Sequence, residues 1–107
     1  MKTVFIKSAA LSDIILDHKH FELRLDKSYF RDLKIGDTIM FKDSKRNLIC
    51  IIDNLYKFKN FEHVFDNLDF RNFSSRVESK KDMIKFYHTL YNKSKLSVIV
   101  FKISKKT

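Results

Sequence analysis

The 107-residue sequence has no proline, no tryptophan, one glycine and one cysteine. A single glycine excludes a Gly-rich phosphate loop, which needs several positions without a side chain. A lone cysteine, Cys50, excludes an intramolecular disulfide and suits a reducing compartment. No apolar run approaches the roughly 18 residues of a membrane span. The opening Met1-Lys2-Thr3-Val4-Phe5-Ile6-Lys7 has no apolar stretch long enough for a signal peptide. An intracellular, cytoplasmic setting is therefore expected, with the nucleus open to a eukaryotic or viral protein. No nucleophile elbow of the G-x-S-x-G type surrounds Ser74-Ser75.

Apolar residues make up 44% and charged residues 33%, with eleven Phe and four Tyr, so the chain can bury a core. Its length predicts one domain over residues 1–107, with 105–107 as a frayed tail. Lys, Ile, Asn, Phe and Tyr are abundant while Ala is scarce, the bias of an AT-rich coding sequence, viral or low-GC bacterial.

Charge is the second signal. The net charge is +9, yet residues 1–70 hold 12 basic and 11 acidic side chains, whereas residues 71–107 hold 10 basic and 2 acidic. A basic end invites a polyanion, and a solvated lysine-rich face accounts for the same numbers. Phe86, Tyr87, Tyr91 and Phe101 lie in that third, where they suit base stacking or core packing.

Along the chain, Thr3–Lys7 reads as a strand. Ser8 reads as the cap of a helix to Asp17 with Ala9, Leu11, Ile14 and Ile15 buried. His18-Lys19-His20 reads as a polar turn. Phe21-Glu22-Leu23-Arg24-Leu25 alternates strictly, placing Glu22 and Arg24 on one strand face. Asp26–Lys34 is a charged connection, and Gly36 marks a turn needing positive φ, braced by Asp37. Thr38–Lys42 and Leu48–Phe58 read as strands around a hairpin loop. The second is apolar on both faces, as in a strand bent around a small barrel. Asn60 caps a helix over Phe61–Leu68. Arg71–Ser79 reads as an exposed loop. A helix from Ser79 or Lys80 to Tyr91 carries Met83, Phe86, Tyr87 and Leu90 inward. A turn over Asn92–Lys95 leads to a last strand, Leu96–Ile103. Strands outnumber helices without βαβ alternation, which predicts an α+β domain around a small mixed β-barrel with flanking helices.

Lys19-x-x-Glu22-x-Arg24 on a strand, followed by Ile35-Gly36-Asp37-x-Ile39-x-Phe41, resembles the ASCH domain family. Tyr56–Glu62, Phe86–Tyr91 and Val98–Phe101 are similar to later segments of it. The resemblance implies a PUA-like barrel and a cleft associated with RNA or modified nucleosides. Some relatives hydrolyse N4-acetylcytidine, and some are linked to RNA cleavage. The sequence departs from the family at Asp17 and Ser97, where glycine is usual. It departs again at Glu22, where the acetylcytidine hydrolases carry threonine. Without that hydroxyl their nucleophilic mechanism does not transfer.

On these grounds the expected function is an RNA- or nucleotide-binding module, with single-stranded or looped RNA, a nucleoside or a nucleotide as partner and no membrane. Arg24 and Lys19 suit phosphate, and Glu22 suits a base amino group. Arg71 and Arg76 suit phosphate clamping, Lys57 and Lys59 extend a phosphate track, and Tyr87 or Tyr91 stacks a base. The alternative is a hydrolase acting on RNA or a modified nucleoside, with Lys19 and Glu22 as its catalytic pair. The same trio also reads as a structural cross-strand ion pair. No cofactor is expected. No metal is expected either: His18-x-His20 with His63 or His88 lacks a supporting cysteine pair or H-E-x-x-H helix. Cys50, in an apolar run, reads as core.

Overall fold

The structure, a computed structural model, describes residues 1–92 and 95–106. Its elements are β1 (Lys2–Phe5), α1 (Ser8–Ile15), β2 (Phe21–Leu25), α2 (Ser28–Arg31), β3 (Thr38–Lys42), β4 (Asn47–Phe58), α3 (Phe61–Asn67), a 3-10 turn (Phe70–Asn72), α4 (Lys80–Leu90) and β5 (Val98–Lys105). The strands form one curled sheet, a half-barrel, in the order β1-β3-β4-β5-β2. The β1–β3 pair is parallel and the others are antiparallel. β1 and β2 are thus the two edges.

Alternation sends side chains to two cores. In β5, Ile99, Phe101 and Ile103 join Leu11 and Ile14 of α1 on one face. Val98 and Val100 join Phe61 and Val64 of α3 and Met83 and Tyr87 of α4 on the other. β4 serves both because its register with β5 slips between Ile52 and Asn54. An extra residue reverses the parity of everything after it. Cys50 and Ile52 therefore pack with the α1 side, and Tyr56 and Phe58 with the α3–α4 side. Cys50 is core as expected, and burial pushes its thiol up to about 11.

Local chemistry sets the boundaries. Asn60 Oδ1 accepts the His63 amide at 2.9 Å, the expected cap, and Ser79 Oγ accepts the Asp82 amide at 3.0 Å, which places the start of α4 after Ser79. Asp37 accepts the Lys34 amide at 2.9 Å beside Gly36, whose φ is +94°. Three expectations are corrected. Ser8 is the first helical residue, and Lys7 takes the cap position without a side-chain cap bond. The segment after α3 is pinned rather than open: it contains the 3-10 turn and buries Phe73 against Phe21 and Phe65. Lys105 belongs to β5, and the Lys106 amide donates to the Ile49 carbonyl at 3.0 Å, so those two residues do not fray. Residues 93 and 94 of the expected Asn92–Lys95 turn, and residue 107 of the expected tail, lie outside the described residues. Among the described residues, no helix is long and apolar enough to cross a membrane.

A Cβ at Gly36 would meet nothing within 4 Å. Gly36→Ala should therefore cost only the backbone strain of positive φ, about 1–2 kcal/mol. Urea melts of the two proteins check this, and an unchanged midpoint would refute the assigned strain.

Candidate functional site

Lys19 reaches the interior because the chain turns sharply after α1. Asp17 takes a left-handed φ of 63°, and the Asp13 carbonyl accepts the amides of His18 at 2.8 Å and Lys19 at 3.1 Å. Aspartate tolerates that conformation better than most residues, so Asp17 can make this turn without glycine. The polar turn expected at His18–His20 is corrected at its centre, since Lys19 is 4% exposed. Its neighbours hold it there: the His20 amide donates to the Asn72 carbonyl at 2.7 Å, and the Ile103 amide to the His20 carbonyl at 2.9 Å.

The Lys19 ammonium has three hydrogens and three acceptors. These are the Phe21 carbonyl at 2.7 Å, the Phe73 carbonyl at 3.0 Å and Glu22 Oε1 at 3.3 Å. Glu22 Oε2 pairs with Arg24 Nη2 at 3.1 Å, which also donates to the Phe5 carbonyl of the opposite sheet edge at 3.1 Å. Glu22 and Arg24 share a strand face as expected, but that face is not open to water. Glu22 is 6% exposed, and the register sets it beside Phe101 and Arg24 beside Ile99, on the α1-side core. The polar trio thus occupies the place where that core reaches the gap between β1 and β2.

Over this gap lies a cleft of ≈ 500 Å³, within the range of small-molecule sites. Phe5, Lys7 and Ala10 line it from β1 and α1. Lys19, Glu22 and Arg24 line its β2 side, Arg76 contributes from the loop, and Phe86, Tyr87, Leu90 and Tyr91 contribute from α4 and its cap. Asp13 braces one end. Buried, it accepts from Ser75 Oγ at 2.7 Å, the Ser75 amide at 3.3 Å and Arg76 Nη1 at 3.0 Å, tying α1 to the loop.

Burial alone would raise the Glu22 carboxyl, but Lys19 and Arg24 outweigh it and hold the group below the ordinary carboxylate range. At neutral pH the cleft therefore presents a carboxylate. Burial raises the Tyr87 phenol well above its usual value, and Glu22 and Tyr91 add to the rise. Burial likewise raises Tyr91, which Arg24 partly opposes. Both hydroxyls therefore keep their protons, and Tyr91 donates to the Leu23 carbonyl at 3.3 Å. Their rings stack at 6.2 Å with an interplanar angle of 6°, backed by Phe61.

The fold thus gathers six of the nine sequence-derived candidates: Lys19, Glu22, Arg24, Arg76, Tyr87 and Tyr91. Lys57, Lys59 and Arg71 lie outside the lining. Lys57 belongs to β4, which β5 separates from β2. Arg71 is engaged by Asp69, with Nη2 to Oδ2 at 2.7 Å. Phe86 and Leu90, expected inward, are 44% and 48% exposed at the cleft mouth. Phe5, Lys7 and Asp13 were not singled out from sequence. Only Asp13 left a trace, as an acid within the apolar Leu11–Ile14 turn. Among the described residues, no three His, Cys, Asp or Glu side chains gather to hold a metal ion, and His88 Nε2 pairs with Glu62 Oε1 at 2.6 Å.

A carboxylate held low by folding stabilises the fold above its unfolded value of 4.5, and that contribution is lost as pH falls through the folded value. Glu22→Gln should cost about 3 kcal/mol at neutral pH by leaving Lys19 without its counter-charge. The gap in melting temperature between variant and wild type should shrink as pH falls below the unfolded value of 4.5. A gap independent of pH would refute the ionised assignment.

No protein-family model matches the sequence, and no curated protein matches it. Solved structures do match. The hypothetical protein PH0355 aligns with a TM-score of 0.85 at 22% identity, covering 99% of this chain and 100% of its own. Protein PF0455 from Pyrococcus furiosus aligns at 0.77 and 23% identity, covering 97% of this chain and 96% of its own. A mutant of the ASCH protein from Zymomonas mobilis aligns at 0.69 and 8% identity, covering 95% of this chain and 67% of its own. The chain thus shares its overall fold with these proteins, among them an ASCH protein.

Proposed function

We propose that this protein binds RNA or a nucleotide, taking one base of a single-stranded or looped segment into the cleft between α4 and the β2 edge. The observation that carries the reading is a buried carboxylate, flanked by two cations, opening on a cleft with protonated tyrosines on its wall. The resemblance of Lys19-x-x-Glu22-x-Arg24 to the ASCH pattern points the same way.

Each group has a role. Glu22 spends one lone pair of each oxygen on Lys19 and Arg24, and the remaining pairs accept from base N–H groups. Arg24 Nη2 is used by Glu22 and Phe5, and its other N–H groups donate to a base carbonyl or a phosphate. Lys19 is a positioning residue: with its three hydrogens committed, it orients Glu22. Tyr87 and Tyr91 form the wall for the base. Arg76 meets phosphate at the rim, while Lys57 and Lys59 add long-range attraction. Bases must be unpaired for a cleft to read their edges, which favours single strands over duplex. The alternative, hydrolysis of RNA or a modified nucleoside by Lys19 and Glu22, requires Lys19 to release two main-chain carbonyls first.

Fluorescence anisotropy with a labelled single-stranded RNA tests the binding. Affinity should fall with salt at a log–log slope near −0.7 per phosphate contacted. Arg24→Gln should weaken binding by roughly tenfold, since it removes a bidentate donor. Absence of binding at low salt, or an unchanged Arg24→Gln protein, would overturn the reading. RNA recovered intact supports a binding module. Scission that disappears in Lys19→Ala supports the alternative.

A further inference from the structure

We infer that the ligand of this cleft is a chain of nucleotides rather than a free nucleoside, because Lys7 and the exposed rings of Phe5 and Phe86 form an outer subsite for the adjoining nucleotide. This rests on the RNA reading above and deepens it.

Phe5 and Phe86 both line the cleft, yet Phe5 is 71% and Phe86 44% exposed. Two large rings left in water at the mouth of a concave site form a contact surface rather than core. The Phe86 ring lies edge-on to Tyr87 at 5.1 Å and 75°. An incoming base would meet a ring already oriented, at little cost in lost side-chain freedom.

Charge selects what covers these rings. Three of the cleft's four cations are answered by carboxylates: Lys19 and Arg24 by Glu22, and Arg76 by Asp13. Lys7 is exposed and, among the described residues, has no such partner. The mouth thus joins apolar faces to an unanswered positive charge, and among the described residues Glu22 is the one acid in the lining. An apolar protein surface would cover the rings and leave Lys7 desolvated without a counter-ion. A single-stranded nucleic acid offers a π-face for the rings and a phosphate for Lys7 in every repeat. The cleft of ≈ 500 Å³ suits one base with its sugar, and the neighbouring base then lies on the rim.

The test compares a single-stranded RNA of about eight nucleotides with nucleoside 5′-monophosphates, by anisotropy and calorimetry, for wild type, Lys7→Ala, Phe86→Ala and Arg24→Gln. Lys7 and Phe86 are exposed, so their variants should fold, which thermal melts confirm. Wild type should bind the oligonucleotide at least about tenfold more tightly than any monophosphate. Phe86→Ala should weaken the oligonucleotide by roughly tenfold and leave monophosphate affinity unchanged. Lys7→Ala should reduce the salt slope by about 0.7. Arg24→Gln should weaken both ligands. Oligonucleotide binding that survives both rim substitutions but not Arg24→Gln would overturn the outer subsite and leave the cleft reading intact. A wild type that binds neither ligand at low salt would overturn both. A Phe5→Ser or Phe86→Ser protein that sediments as a monomer where wild type is a dimer would overturn the inference, by making the rim a contact between copies.

Discussion

The buried Lys19–Glu22 pair is the constraint around which the rest is arranged. Two opposite charges at 3.3 Å, both nearly inaccessible, are worth having only if every remaining hydrogen and lone pair finds a partner. Here the partners are structural. Lys19 holds the carbonyl of Phe21 on the β2 edge and that of Phe73 in the loop before α4, while Arg24 carries the network across to Phe5 on β1. A few side chains thus do for the two sheet edges what a further strand would do in a closed barrel. Unpaired edges otherwise invite pairing with other chains.

That arrangement also explains why the cleft lies where it does. A closed barrel would fill the space with side chains from both edges. Because β1 and β2 approach without pairing, the space between them is roofed by α4 and walled by α1. The same charges that close the network also line the cleft. In the proposed reading Glu22 serves both stability and recognition, so the polar face of β2 is constrained twice.

Much of this was legible in the sequence because it is local. The alternation Phe21–Leu25 placed Glu22 and Arg24 on one face, Gly36 marked its turn, and Asn60 and Ser79 announced their helices. What was not legible is set by contacts between distant segments. A lysine between two histidines reads as a solvated turn unless one knows that the Phe73 carbonyl waits opposite. Phe73 in turn looked exposed because its loop has little pattern, although it stacks on Phe21 at 5.1 Å. The slip after Ile52 was hidden, since a run apolar on both faces looks the same with or without an extra residue. Lys57 and Lys59 were grouped with the site on charge and on their alternation around Phe58, and neither carries information about which strand lies between. Phe86 followed the helical period toward the core, but the wall it would have packed against is the open seam.

The strand order has a temporal meaning as well. β2, early in the chain, has β5, the last strand, as its hydrogen-bonding neighbour: Phe21 faces Lys102 and Leu25 faces Val98. β1 must wait for β3 across the whole α1–β2–α2 stretch. Pairings of such long sequence separation are slow to nucleate. During translation, β2 therefore stays without its hydrogen-bonding neighbour until β5 has been made. The cleft, lined on one side by β2, therefore depends on a strand edge that only β5 completes.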